Sequence, residues 1–387
     1  MKLKFAILLS LALSTSTYGT ATAGESQIYL LTILPGDEIY SIYGHSALRI
    51  VIPETGYDRV FNWGVFDFST PNFGYKFTRG RLNYMLATYP YDRFLQEYFL
   101  EQRTVISQEI LLEPAEKEKL IGLANENLKP ENIFYLYDFF FDNCATRIRD
   151  IIKNSLEGEL SLSVTRKKIT PTFRELIDNY QKPYRWLDVG IDLLLGLPAD
   201  RKASAEDQMF LPDFLMTNLT EASVVRASGS SELLAEPEIV VEFEPAQVTS
   251  SRFASPMFVL WSLLAVIIIL SLTNIKSKWW RRIDILIFTV YSILTLLLLF
   301  MTFFTDHNAT RWNLNLLWLS PLVLVTLANL IMKVRSVYWY RINLTVTALF
   351  LPCSFLLPQS FNRYFVPLIL ILIVRLFFLS AFGKTER

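Results

Sequence analysis

After residue 255 the chain enters a long apolar stretch five times, at 256–273, 283–304, 314–332, 342–357 and 364–382. Most approach the roughly 20 residues a helix needs to cross a bilayer, and the fourth is marginal. A mean hydropathy of +0.30 is too high for an ordinary soluble protein of 387 residues. Residues 253–387 therefore read as an all-α transmembrane bundle of about five helices. The loops after the first run ("NIKSKWWRR", 274–282) and after the third ("KVRSVYWYR", 333–341) are basic, whereas "TDHNATRWN" and "PQSFNR" carry less positive charge. Positive loops stay inside, so the C-terminal "GKTER" is expected inside and everything before residue 256 outside.

The N-terminus gives the same orientation independently. Lys2 and Lys4, then "FAILLSLAL", then "ATA" before Gly24 have the layout of a secretory signal peptide, residues 1–23. Residues 24–252 then form an exported domain, of which the stretch from 199 onward reads as a tail and juxtamembrane linker, part helix and part strand. A multi-pass protein of a bacterial inner membrane, with its N-terminal domain in the periplasm, fits both signals. The 37 basic residues balance 37 acidic ones, with no basic face or arm, so the lipid bilayer is the expected partner and nucleic acid is not.

In the exported part, "QIYLLTIL" (27–34) is β-prone and ends at the turn signal "PGDE". "HSALRIVI" (45–52), "PETGYD" and "RVFNWGVFDF" (59–68) have the pattern of a hairpin, which puts His45 and Asn62 near enough to share a face. Residues 90–103 and 113–128 have helical character, and "NIFYLYDFFF" (132–141) reads as a mainly buried segment. It delivers the chain to "DNCATRIRDIIKNSL", where Asp142 or Asn143 suits an N-cap and Ile148, Ile151 and Ile152 form an apolar stripe. Cys144 thus opens a helix, where amides and the macrodipole favour a thiolate.

The exported domain holds one cysteine and one histidine, so a Cys–His pair within it is Cys144 with His45. A polar side chain on the second ring nitrogen would fix the tautomer. Asn62 is the natural third member and Asp67 a reserve. The blander readings are a small buried cysteine and a satisfied core histidine. Two His and two Cys in separate segments offer no metal-ligand spacing, no Gly-rich phosphate loop is present, and no cofactor is expected. Cys353 falls in a membrane run, where packing is the expected role. Arg79 and Arg81 in "TRGR" read as a solvated turn or a phosphate contact.

"PGDEIYSIYGHSALRI", "VFNWGVFDFSTPNFGYKFTRGRLNYML" and "YDFFFDNCATRIRDII" resemble the Lnb-type lipoprotein N-acyltransferases of Bacteroidota, and "TDHNATRWNLNLLWLSPL" (305–322) resembles their membrane part. The order His, polar strand residue, Cys at a helix start is also similar to a circularly permuted NlpC/P60-like (papain-like) fold. The resemblance implies an α+β exported domain with Cys144 as nucleophile and His45 as base. It further implies transfer of an acyl chain from a membrane phospholipid, through a Cys thioester, to the α-amino group of a lipoprotein's lipidated N-terminal cysteine. Asn143, His307 and Arg311 join Asp67 as auxiliary candidates. His307 is open to catalysis, to headgroup binding with Arg311, or to a plain interfacial role. Asn313 and Asn315 are similarly ambiguous. The competing function is a membrane-anchored papain-like peptidase or amidase acting on peptidoglycan with the same pair. A scaffold in which Cys144 is dispensable is the non-enzymatic alternative.

Overall fold

The computed structural model describes residues 26–162, 170–244, 251–273, 279–334 and 336–382, so the expected signal peptide lies outside the described residues. The N-terminal domain is mixed α/β. Its elements run β1 (Gln27–Ile33), β2 (His45–Ile52), β3 (Tyr57–Val65), α1 (Phe73–Thr78), β4 (Asn83–Pro90), α2 (Tyr91–Leu100), β5 (Val105–Glu109), α3 (Pro114–Asn127), β6 (Phe134–Leu136) and α4 (Cys144–Ser155). There follow β7 (Glu159–Ser161), α5 (Phe173–Gln181), α6 (Arg185–Leu194), α7 (Ala205–Gln208), α8 (Pro212–Thr220), β8 (Ser223–Arg226), β9 (Gly229–Glu232) and β10 (Glu238–Val241).

Seven strands form one antiparallel sheet in the order β10-β5-β1-β2-β3-β4-β6, and β7-β8-β9 form a small second sheet. Strand side chains alternate between two faces, and here both are covered, so β1 is apolar nearly throughout. Ile28 and Leu30 join the core under α3 and α4, with Leu48, Ile50, Phe61, Trp63, Ile148 and Ile152. Leu31 and Ile33 join the other side, with Ala47, Val60, and Phe94 and Tyr98 of α2. The stretch from 199 onward is not a tail: α8 carries the buried Leu215 and Leu219, and β10 pairs with β5.

"NIFYLYDFFF" is a second correction. Only Tyr135 and Phe140 in it are buried, while Phe134 and Leu136 are exposed. The cause is position: β6 is the last strand of the sheet, paired with β4 alone, so alternate residues face outward.

The C-terminal region is helical, with α9 (Pro256–Thr273), α10 (Trp280–Phe303), α11 (Leu322–Ile331), α12 (Val337–Cys353) and α13 (Phe365–Phe382). By length and apolar character α9 and α10 each suffice to cross a membrane. The third expected run is broken: short 3-10 turns at 308–317 meet α11 at a bend of 58°. Pro321 heads α11, and the Asn313 and Asn315 amides just before it are committed elsewhere, as shown below. α12 ends at Pro352 and Cys353, and Cys353 lies on the outer surface rather than packing into the bundle.

Among the described residues, one ion pair sits inside this bundle. Arg375 on α13 donates to both carboxylate oxygens of Asp284 on α10, at 2.7 and 3.0 Å, and to Ser271 Oγ on α9 at 2.6 Å. Its guanidinium lies 3.7 Å from the centroid of the Trp280 ring. A charge in such surroundings is stable only when paired and hydrogen-bonded, and every polar atom of this pair is engaged.

Candidate functional site

β1 and β2 are joined by a loop that closes where Ile33 faces His45 across the ladder. Gly44 makes that closure possible: its φ is +76°, and a Cβ there would stand 2.8 Å from the Ile33 carbonyl oxygen. His45 therefore opens β2 at the end of the sheet. The β2–β3 register runs from Ile52↔Tyr57 to Leu48↔Phe61, which sets Asn62 level with Ala47 and diagonal to His45 on the same face. The His45 Nε2–H donates to Asn62 Oδ1 at 2.6 Å. That bond fixes the tautomer and leaves Nδ1 for a second partner.

The second partner is Cys144. Asn143 caps α4 by accepting from the Thr146 amide at 2.9 Å, while its own amide donates to Thr146 Oγ1 at 2.8 Å. Its Nδ2 donates to the carbonyls of Phe139 and Phe210, each at 2.8 Å. Asn143 is thus buried and fully used in holding Cys144 at the first helical position. Burial works against a charged thiol. The His45 charge, a hydrogen bond with its ring and the backbone amides of Ser46 and Ala145 outweigh it, and the Cys144 pKa falls below the ordinary thiol value. For His45 burial again opposes charge, yet the thiolate and the bonds with Cys144 and Asn62 raise its pKa. Together the shifts favour a thiolate–imidazolium pair.

Behind the pair, β3 carries a bulge between Asn62 and Val65, with Gly64 at φ +90°. A Cβ on Gly64 would stand 3.9 Å from that of Cys144, so the strand passes close beside the nucleophile candidate. The strand ends at Val65, and Asp67 falls in the turn beyond, exposed and accepting from the amide and hydroxyl of Ser69 at 2.8 and 2.6 Å. Those bonds lower its pKa, and they hold it away from His45. The reserve candidate is therefore not brought into the site.

Cys144, His45 and Asn62 open into a cavity of about 520 Å³. One wall is aromatic and apolar, built by Phe66 and Phe68 from the turn after β3, Phe77 of α1, Leu82 just before β4 and Tyr84 of β4. Another comes from α2 and its C-terminal end, with Glu97, Tyr98, Glu101 and Arg103. The helical character of 90–103 in the sequence gave no sign that α2 faces the cysteine. Only the sheet order joins two segments so far apart in the chain.

His307 closes the rim from the membrane domain. Its Nε2–H lies between the carbonyls of Phe77 and Thr78, 3.2 Å from each, and the Asp306 amide donates to Arg79 O at 2.9 Å. Arg81 pairs with Asp306 across the seam. Asn308 Nδ2 donates to Asp138 Oδ2 at 2.6 Å, and Asp138 also accepts from the amides of Phe140 and Phe141, in the loop leading to Cys144. Arg311 has an exposed side chain and meets the N-terminal domain through its backbone, against Gly196.

The rest of the seam is polar. Asn313 Nδ2 donates to the Leu193 and Leu194 carbonyls at 2.8 and 3.0 Å, and Asn315 Nδ2 to those of Asp192 and Leu193 at 3.4 and 3.2 Å. Asn362 Nδ2 reaches Asp188 and Asp192 at 2.8 Å each, and Arg174 pairs with Asp192 at 2.7 Å and with Asp200 at 2.9 Å. Around this knot the carboxylates of Asp178, Asp188 and Asp192 lie within 4.8 Å of one another. Burial and then its acidic neighbours push the Asp178 pKa up to about 7. Val189 and Leu193 of α6 pack into the core of the bundle, with Leu260, Leu264 and Trp318.

Residues 15–179 match the family model of the Lnb N-terminal periplasmic domain, and residues 248–386 match that of the Lnb transmembrane domain. No curated protein and no solved structure matches the chain. With both halves matched in order, and with the transmembrane half docked beside the cavity of the periplasmic half, the chain belongs to the Lnb-type lipoprotein N-acyltransferase family, as a membrane-anchored periplasmic enzyme of the Lnb type.

Proposed function

We propose that this chain moves an acyl chain from a membrane phospholipid, through a thioester on Cys144, to the α-amino group of the lipidated N-terminal cysteine of lipoproteins. One observation carries the reading: a hydrogen-bonded Cys144–His45–Asn62 set opens into an aromatic-walled cavity whose rim is completed by His307 of the transmembrane domain. A hydrolase of polar substrates needs neither the apolar wall nor the docked bundle. The order of the three residues, with His45 and Asn62 on adjacent strands before a helix-opening cysteine, supports a circularly permuted NlpC/P60-like, papain-like reading of the domain.

In the first half-reaction the Cys144 thiolate attacks a glycerol-ester carbonyl, and the His45 imidazolium gives its proton to the departing alkoxide. Asn62 holds the ring so that Nδ1 faces the sulfur. Backbone amides at the start of α4, that of Cys144 among them, are the donors for the oxyanion. In the second half-reaction the lipoprotein amine attacks the thioester, an amide bond forms, and the thiolate leaves. An apolar, partly closed cavity favours this acceptor over water.

Mass spectrometry of lipoprotein N-termini tests the reading, in cells lacking this protein and complemented with wild type or Cys144→Ala. Loss of N-acylation on deletion, restored only by wild type, is expected. N-termini that stay acylated in the deletion, with no second enzyme present, sink the reaction; rescue by Cys144→Ala sinks the mechanism.

A further inference from the structure

We propose that Glu97 receives the acceptor's α-ammonium group and thereby selects a free amine for the second half-reaction, an inference that rests on the acyl-transfer reading above. The cavity has two unlike walls. The apolar wall of the turn after β3, α1 and the start of β4 is the one touched by the membrane domain, through His307. The α2 wall bears the acids. One turn of α2 presents Glu97, Tyr98 and Glu101 to the cavity, and the buried Tyr98 ring stacks on the His45 ring at 6.4 Å. Phe94 locks that turn from below, with its ring 4.8 Å from Tyr98. Glu97 is thus adjacent in sequence to a side chain packed against the base.

The two acids are not equivalent. Glu101 is engaged with Arg103 at 3.0 Å, and Arg103 is itself buried and bonded to the Leu34 carbonyl at 3.0 Å. The Glu97 carboxylate makes no hydrogen bond and no ion pair among the described residues, although it feels the charges of His45, Arg93 and Arg103. Glu97 is exposed at the cavity's edge, and its partial desolvation there and the Glu101 charge raise its pKa, which suits a carboxylate that accepts a proton as well as a charge. A carboxylate without a partner, in a cavity that also holds the nucleophile, recognises a small cation with N–H donors. It repels a phosphate.

The protons balance. At the thioester stage His45 is neutral, having protonated the alkoxide. The incoming ammonium gives one proton to Glu97 and becomes a nucleophilic amine. Its nitrogen bonds to the thioester carbon, the C–S bond breaks, and the second proton passes to His45, restoring the thiolate–imidazolium pair. Glu97 then returns its proton to solvent.

A primary ammonium has two sources here, the acceptor peptide and an ethanolamine headgroup on the donor, and the experiment separates them. Full-length protein in vesicles of phosphatidylglycerol or of phosphatidylethanolamine is assayed for the Cys144 thioester by intact-protein mass spectrometry without acceptor, then for transfer to a diacylglyceryl-cysteine peptide. For Glu97→Gln we expect thioester formation within about twofold of wild type in both vesicles and a KM for the peptide raised about tenfold or more, with Glu97→Asp recovering part of it. Unchanged transfer by Glu97→Gln overturns the proposal. So does slower thioester formation in phosphatidylethanolamine alone, which assigns Glu97 to the headgroup, or in both vesicles, which assigns it to the His45 environment. Wild type that forms no thioester fails the parent reading instead, a result seen before any Glu97 variant is compared.

Discussion

Among the charge pairs buried in this molecule, Cys144 with His45 and Asp284 with Arg375 are built to opposite ends. The Asp284–Arg375 pair is closed: both carboxylate oxygens, three guanidinium nitrogens and the cation's face are occupied by Arg375, Asp284, Ser271 and Trp280. Nothing is left for a ligand. The Cys144–His45 pair is held just as firmly from behind, by Asn62, Ser46 and Ala145, yet its front opens on a cavity. A buried charge pair with all its valences filled holds structure together, and one with a valence facing empty space is available for chemistry.

The largest test of that contrast pairs two substitutions. Cys144→Ala is expected to cut acyl transfer by roughly 10⁴-fold or more while leaving the thermal midpoint in detergent nearly unchanged. Asp284→Ala leaves a buried cation alone and is expected to cost about 3–5 kcal/mol of stability, with activity per folded molecule retained. Cys144→Ala unfolding as readily as Asp284→Ala would erase the distinction. Next in size is Asn62→Ala, which frees the His45 ring and is expected to lower turnover about 100-fold with little change in stability. A twofold effect would remove Asn62 from the set.

The smallest expected effect is the most direct view of the pair. The Cys144 pKa is depressed, so its ionised fraction, and with it the rate of alkylation by iodoacetamide, persists below the ordinary thiol range and falls only as pH drops through the lowered value. His45→Ala removes the stabilising cation, so the same profile should move to higher pH. Identical profiles in the two proteins would mean that the imidazole does not hold the thiolate.

Sequence carried the meeting of His45, Asn62 and Cys144 because each position is set locally. A hairpin turn fixes which strand residues share a face, and an Asn cap before an isoleucine stripe fixes where a helix begins. Asp67 misled because a bulge at Gly64 and a turn at Ser69 are not periodic, and both intervene before it. The third apolar run hid its break for a different reason. Asn313 and Asn315 are spent on carbonyls of α6, over 100 residues earlier in the chain, and no local pattern announces such a debt. Glu97 was invisible on the same grounds, since the residues that make it part of the cavity come from other strands.

The close approach at Gly196 has a consequence of its own. Its amide donates to the Ala309 carbonyl at 2.8 Å, and a Cβ there would lie 1.9 Å from the Arg311 carbonyl oxygen. At this one point main chain meets main chain, with no side chain between them to act as a cushion. The spacing of the two halves at this point is therefore set by peptide groups, which drift in the sequence does not alter. A single methyl group at position 196 would act as a shim and pry the transmembrane half, with His307, from the rim of the cavity.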